Sequence, residues 1–265
     1  TEMSSGLIPY SKFLELITLM ELRLSQTKYS EARTLPLHPA QAEFMQSKAY
    51  VSALLGGRGV GKTYAGSVKT LLQAKNREPW MCVSPDSGVV IDTTLPTFID
   101  VARKFKKLLR YVVSPYPRVW FRTQDKGTAN IIFRSGEKPD KLRGPNKAGL
   151  WIDEASVQLE DVFDIAIATL RIKGASNQVF MTMTPRGRHH WTFHKFYQSI
   201  DDYEVLQVPK SELLDVNGAM FKLRPDTELV KAASYENPFL PDGYAERLIS
   251  QYTAAFAQQE VEGNF

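Results

Sequence analysis

The stretch "LLGGRGVGKTYAG" (residues 54–66) crowds glycines where an apolar run gives way to a helical pattern. Glycine weakens the interior of either element, so such a cluster asks for a backbone that turns tightly around something. Gly56, Gly61, Lys62 and Thr63 match G-x-x-x-x-G-K-[ST] without a mismatch. The motif follows "YVSALL" (50–55) and opens a helical pattern from Lys62 to Ala74, which is the context that gives it meaning. Backbone amides of Gly56, Gly57, Arg58, Gly59, Val60 and Gly61 are then expected to face phosphate oxygens. Lys62 is expected at the β- and γ-phosphates, and Thr63 is expected to offer its hydroxyl to Mg²⁺. The alternative is a glycine-rich turn with no ligand.

Such a loop needs an acidic second half, and "GLWIDEAS" (149–156) supplies one. An apolar strand there delivers Asp153 and Glu154 at its C-terminal end, the edge where α/β sheets bind ligands. Asp153 suits Mg²⁺, and Glu154 suits polarisation of an attacking water, because a carboxylate can accept its proton. Read alone, the pair could be two solvated acids favoured at a helix N-terminus. The phosphate loop upstream favours the chemical reading.

The rest of the chain bounds the class. Its 265 residues make one large domain or two small ones, and 43% hydrophobic content allows a sizeable core. No apolar run approaches the roughly 18 residues a bilayer-spanning helix requires. Leu7 to Leu24 is interrupted by Lys12, Glu15, Glu21 and Arg23 and reads as an amphipathic helix, not a signal peptide. Cys82 is the only cysteine, which excludes an internal disulfide and suits a reducing interior. A net charge of +4 and a pI near 9.0 are compatible with a polyanionic partner without demanding one. A chain that starts at threonine reads as a processed or engineered product.

Short apolar runs at Tyr50–Leu55, Trp80–Val83, Leu150–Asp153 and Gln178–Thr182 predict strands buried on both faces. Helical patterns at Lys62–Ala74, Phe98–Tyr111 and Leu159–Leu170 lie between them. The alternation predicts an α/β fold with a mostly parallel central sheet flanked by helices. "RVWFRT" (118–123) and "ANIIFRS" (129–135), joined by "QDKG", predict an inserted β-hairpin. A softer boundary falls near "LRPDTEL" (223–229), after which the pattern returns to helix.

Taken together, "GGRGVGKT", "LWIDEA" and "TMTPRG" (182–187) resemble the ATPase domain of a large terminase subunit, the DNA-packaging motor of tailed bacteriophages. The resemblance covers the chain from about residue 35 to its end. "LHPAQAEFM" (37–45) resembles the family's adenine-contacting motif and places that role on Gln41. "DKLRGPNKAGLWIDEA" (140–155) resembles the segment that carries an arginine finger and places that role on Arg143. "YENPFLPDGYAERLISQY" and "QQEVEGNF" (258–265) resemble the stretch that closes the ATPase domain. The resemblance implies a P-loop NTPase of the ASCE type with ATP and Mg²⁺ as cofactors. It implies Arg58 as a further phosphate-contacting or switching residue, and Thr182 and Thr184 as part of the coupling motif that senses the nucleotide. Local backbone capping beside Pro185 is the alternative for Thr184.

The implied organisation is an N-terminal helical extension (1–34), a P-loop ATPase core (35–222) and a C-terminal helical subdomain (223–265). That subdomain leads towards a nuclease domain, which a chain ending at Phe265 lacks, so ATP hydrolysis without DNA cleavage is expected. The implied partners are double-stranded DNA, other copies of the chain in a ring (pentameric, at the portal), the portal protein and the small terminase subunit. No membrane partner is implied, and the implied place is the host cell cytoplasm.

Two readings from other classes compete: a helicase-like ATPase and a non-catalytic nucleotide-binding scaffold. About eighty residues after "TMTP" are few for a second ATPase lobe, and a scaffold is expected to lose Lys62 or Glu154. Three further features carry weaker expectations. Arg103, Lys104, Lys106, Lys107 and Arg110 form a basic run on a predicted helix and read first as a solvated face, with contact to phosphates of DNA or to a neighbouring subunit as the alternative. "RGRHHWTFHKF" (186–196) fits either nucleic-acid contact or an amphipathic helix with its aromatics in the core. His190 and His194, four apart, read as packing or surface in preference to a metal site.

Overall fold

A computed structural model describes residues 37–205, 208–209, 213–216 and 218–265. The expected N-terminal helical extension (1–34) lies outside the described residues. In chain order the elements are α1 (Pro39–Gln46), β1 (Val51–Gly56), α2 (Lys62–Gln73), β2 (Pro79–Ser84), α3 (Leu95–Lys104), β3 (Leu108–Val112), β4 (Arg118–Arg122) and β5 (Thr128–Ser135). They continue through β6 (Gly149–Asp153), α4 (Glu160–Ile167), β7 (Gln178–Met183), α5 (Trp191–Phe196), β8 (Tyr197–Ser199), β9 (Leu213–Val216), β10 (Ala219–Leu223) and β11 (Thr227–Ala232). The chain closes with α6 (Tyr244–Gln251) and α7 (Ala254–Glu260).

Eight strands form one sheet in the order β11-β1-β7-β6-β2-β5-β4-β3. From β11 to β5 all neighbours run parallel, and β5, β4 and β3 pair antiparallel. The phosphate-loop strand β1 and the acidic strand β6 are buried along their whole length, as strands covered on both faces must be. They do not touch, because β7 lies between them. Thr182 of β7 stands beside Leu54 on one side and Asp153 on the other. One face of the sheet packs Phe44, Leu54, Trp80, Phe98, Trp151 and Phe180 beneath α1, α2 and α3. The other packs Leu55, Met81, Leu150, Ile152, Phe163 and Phe196 beneath α4 and α5.

Two expectations are corrected. The helix expected over Phe98–Tyr111 stops at Lys104, because Lys106 adopts φ +54 and turns the chain into β3. The basic run is therefore split, with Arg103 and Lys104 on the helix and Arg110 on a strand. The stretch from residue 223 is not helical throughout: β11 joins the main sheet and pairs parallel with β1, Val51 opposite Thr227. Thr227, Glu228 and Lys231 interrupt its apolar residues, so it does not read as a buried strand, and only Val230 and Ala232 are fully buried. The hairpin forms as β4 and β5 and widens the main sheet at its antiparallel end.

Candidate nucleotide site

The loop from Gly56 to Thr63 leaves β1 and enters α2 through Gly61, whose φ of +76 is left-handed and favours glycine. Gly57 is needed for a different reason: a Cβ there would lie 2.4 Å from the Val261 carbonyl oxygen. Lys62 is buried and folds back on the loop, donating to the carbonyls of Gly56 (3.2 Å) and Gly57 (3.1 Å). Gln41 reaches the same loop from α1, its Nε2 donating to the Val60 and Gly61 carbonyls at 3.0 and 3.2 Å. His38, which sequence reasoning passed over, lies beside it with a ring nitrogen 3.0 Å from the Val60 carbonyl. Burial holds the His38 pKa below its ordinary value, and the bond to Val60 opposes that.

Thr63 and Asp153 meet across the site. Thr63 Oγ1 donates to Asp153 Oδ1 and Oδ2 at 3.3 and 3.2 Å. Asp153 is buried, and two more hydroxyls serve it: Thr182 at 2.6 Å and Thr94 at 2.9 Å. Trp151 Nε1 donates in turn to Thr182 Oγ1, and Ser84 Oγ to Thr94 Oγ1. Thr94 ends a π-turn, Val90–Thr94, the kind of local bulge that often marks a functional position. Burial pushes the Asp153 carboxyl up to about 6 and the neighbouring Glu154 charge adds to this, while the three hydroxyl bonds hold it down. A buried carboxylate facing a threonine hydroxyl at the loop's mouth is the donor set that suits a hard divalent ion such as Mg²⁺. Among the described residues there is no cluster of His, Cys, Asp and Glu that could hold a metal by itself. Phosphate oxygens would have to complete the shell.

Glu154 follows at the strand end with φ +50 and ψ +47, a conformation uncommon outside glycine. Its carboxylate makes no hydrogen bond or ion pair among the described residues. Thr184 contributes its carbonyl to Ser156 Oγ, and its own hydroxyl is unengaged among the described residues.

Neither arginine side chain of interest is directed at the loop's own backbone. Arg58 is turned outward: its Nε pairs with Glu260 Oε2 at 2.7 Å, and its amide donates to the Glu260 carbonyl at 2.6 Å. The Glu260 carboxylate raises its pKa. Arg143 follows the 3₁₀ turn Pro139–Leu142, is largely exposed, and pairs with Asp140 at 3.1 Å. The segment after β11 straps the outside of the loop. Ser234 Oγ donates to the Arg58 carbonyl and Asn237 Nδ2 to the Gly59 carbonyl, each at 2.7 Å. These strap residues lack a local sequence signal, because their partners lie 176 and 178 positions away.

The family model described as terminase large subunit, T4likevirus-type, N-terminal, matches residues 53–265. The chain belongs to this family. Its fold is the one seen in large terminases. The ATPase domain of the large terminase from Thermus phage P74-26 superposes with a TM-score of 0.63 at 19% identity, covering 98% of this chain and 99% of that one. A large terminase from a thermophilic bacteriophage gives 0.65 at 15% identity, covering 87% of this chain and 54% of that one. The same thermophilic-phage protein in complex with ADP gives 0.66 at 15%, covering 86% and 53%. The chain thus spans about half the length of that protein. No curated protein matches. The chain has a P-loop NTPase fold of the ASCE type, with β7 between the loop strand and the acidic strand.

The 186–196 stretch resolves towards packing. Phe193 and Phe196 are buried, Trp191 Nε1 donates to the Gln158 carbonyl, and Lys195 pairs with Glu160 and Asp164 at 2.8 and 3.0 Å. His190 caps α5 by accepting from the Thr192 amide. Cys82 is buried in β2.

Proposed function

We propose that this chain is the ATP-hydrolysing motor domain that drives double-stranded viral DNA into a procapsid. The observation that carries the reading is the contact between Thr63 and Asp153 across a complete phosphate loop, with an unengaged Glu154 beside it. Lys62 exchanges its loop carbonyls for the β- and γ-phosphates of ATP, and the loop amides of Gly56 to Gly61 hold phosphate oxygens. Gln41 borders the base side. Thr63 and Asp153 hold Mg²⁺, which neutralises phosphate charge when bound. Glu154 orients water and accepts its proton. Thr182 bonds directly to Asp153, so a change there passes to β7 and on to Thr184. Arg58 is a switching residue that must leave Glu260 before it can touch phosphate. Arg143 acts from a neighbouring copy, which agrees with its exposure and its pairing outside this chain's own loop.

The thermophilic-phage relative crystallised with ADP and with ATP-gamma-S supports nucleotide binding at such a fold. Family membership supports the packaging role. The proposed partners are DNA, a ring of like subunits at a portal, the portal protein and a small terminase subunit. The proposed setting is the host cytoplasm. Among the described residues no helix is long and apolar enough to cross a membrane.

The test is Glu154→Gln beside Lys62→Ala. Glu154→Gln is expected to keep ATP affinity and lose turnover by about 10²–10⁴. Lys62→Ala is expected to lose both. Steady-state hydrolysis with a fluorescent-nucleotide titration reads the two quantities separately. Wild-type turnover by Glu154→Gln would remove Glu154 from its role.

A further inference from the structure

The antiparallel end of the sheet has one face in the α3 core; on its other face Ile132 of β5 still packs against the second core, and β4 and β3 beyond it are only partly covered. On the core side, Val119 and Phe121 of β4 and Ala129, Ile131 and Phe133 of β5 are buried in the same cluster as α3. Strand alternation then sends Arg118 and Trp120 of β4 and Arg134 of β5 to the other face. Arg110 of β3 stands opposite Trp120. Its guanidinium lies 3.8 Å from the indole centroid, and that of Arg118 lies 5.7 Å from the same ring. Arg134 lies 4.4 Å from the ring of exposed Tyr116 and donates to the Lys141 carbonyl at 2.7 Å.

Lys147, in the segment leading into β6, completes the group. The residue is only 9% exposed, but its ammonium is not among the fully buried unpartnered polar atoms and so still meets solvent; it has no hydrogen-bond or ion-pair partner among the described residues. Burial, first, and then the charges of Arg118 and Arg134 hold its pKa below the usual lysine value. Arg110 and Arg118 likewise have no carboxylate within ion-pairing distance among the described residues. Buried charges in proteins are normally paired. Here cations crowd one another with no acid to offset them, and a bound anion would relieve that repulsion.

We propose that this partly covered face binds the phosphate backbone of duplex DNA through Arg110, Arg118, Arg134 and Lys147. The proposal rests on the DNA-handling part of the reading above and assigns it a surface. The cations come from β3, β4, β5 and the approach to β6, and neighbouring strands lie ~4.8 Å apart. The strip is therefore longer than one phosphate and suits a polyanion whose charges recur along a line. Trp120 and Tyr116 hold the guanidiniums extended by cation–π contact, which lowers the ordering cost of binding. A second copy of this chain, itself at net +4, brings no surplus of acid to such a surface. All the groups are phosphate binders, so recognition is independent of sequence.

The test uses the 265-residue chain and a fluorescein-labelled DNA duplex of mixed sequence, read by anisotropy across a salt series. Arg118→Gln and Lys147→Met are each expected to lower the slope of log K against log salt by about one. Together they are expected to weaken binding at least about tenfold at low salt. DNA-independent ATP hydrolysis should be unchanged in both, because neither residue touches the phosphate loop. Lys147→Met should melt cooperatively at or above the wild-type temperature, since it removes a charge crowded by Arg118 and Arg134, and this shows the variant folded. Unchanged duplex affinity in the double variant overturns the proposal, as does a wild-type chain that fails to bind duplex at low salt. Loss of self-association in sedimentation with unaltered duplex binding would assign the face to a second copy and overturn it too. A wild-type chain that binds duplex as expected but does not hydrolyse ATP would sink the motor reading and leave this surface standing.

Discussion

Asp153 and Lys147 are both buried charges in or near β6, and the chain treats them oppositely. Asp153, at the strand's C-terminal end, receives hydroxyls from Thr63, Thr94 and Thr182, drawn from the phosphate loop, the π-turn and the neighbouring strand. Lys147, just before the strand begins, feels the charges of other cations. At the parallel centre of the sheet three hydroxyls from this chain satisfy the Asp153 carboxylate, so that group is held in place before any ligand arrives. At the antiparallel end it leaves charges exposed or unpaired, and these are the groups that wait for another molecule. Arg143 lies on the connection between the two regions. It belongs with the second kind, since an exposed pair such as Arg143–Asp140 contributes only about 0–1 kcal/mol.

The sharpest way to break this division is to mix two dead proteins. Arg143→Ala is expected to lose about 10³–10⁵ in turnover if the arginine stabilises γ-phosphoryl charge. Glu154→Gln is expected to be inactive for a different reason, the loss of a group that accepts the proton of water. Mixed, the two should regain activity, because some contacts will pair an intact arginine with an intact acidic site. Mixtures that co-assemble and stay inactive would place Arg143 in its own subunit or outside the chemistry.

A smaller effect probes the self-satisfied half. Thr182→Val keeps shape but removes the donor to Asp153 and the acceptor for Trp151 Nε1. Asp153 keeps Thr63 and Thr94, but buried Trp151 Nε1 is left without its partner, which is expected to cost about 1–3 kcal/mol. Urea unfolding reads the loss, and Thr182→Ser should recover most of it. Equal stability of all three proteins would show that the hydroxyl network is not what holds Asp153.

The smallest effect concerns a third buried charge, intermediate between the two. Lys69 of α2 is 1% exposed, contacts the Phe44 and Ser47 carbonyls at the end of α1, and lies 4.4 Å from the Phe44 ring centroid. Burial lowers its pKa to about 7, and Glu228 partly opposes this. Below pH 7 the lysine is charged in both folded and unfolded chains, and the burial penalty is fully felt. Between about 7 and the unfolded value near 10.4, the unfolded chain holds a proton the folded chain does not, so stability rises with pH. The slope from this residue is at most about 1.4 kcal/mol per pH unit. Lys107, lowered to about 8 by burial and by Arg122, acts in the same direction. Urea midpoints between about pH 6.5 and 9 should climb in the wild type and climb less in Lys69→Met. A wild-type midpoint that falls over this range would contradict the assignment.

What could be read from the chain alone was local. The phosphate loop needs its residues in one short run, because backbone amides of one turn must converge on one phosphate, so Gly56 to Thr63 announce themselves. The acidic strand is equally compact, and its apolar run without polar interruption reads as a central strand. Gln41 and Arg143 needed a family likeness, since a lone glutamine or arginine carries no pattern of its own. The tertiary structure alone decided that His38, Ser234, Asn237 and Glu260 surround the loop, and that Thr94 and Thr182 bond to Asp153. It also decided that β11 returns to pair with β1, and that Arg118, Arg134 and Lys147 share a face. The physical reason is the same for each. A hydrogen bond or a repulsion acts over a few ångströms in space, and sequence order records that distance only when the partners lie within one turn of each other.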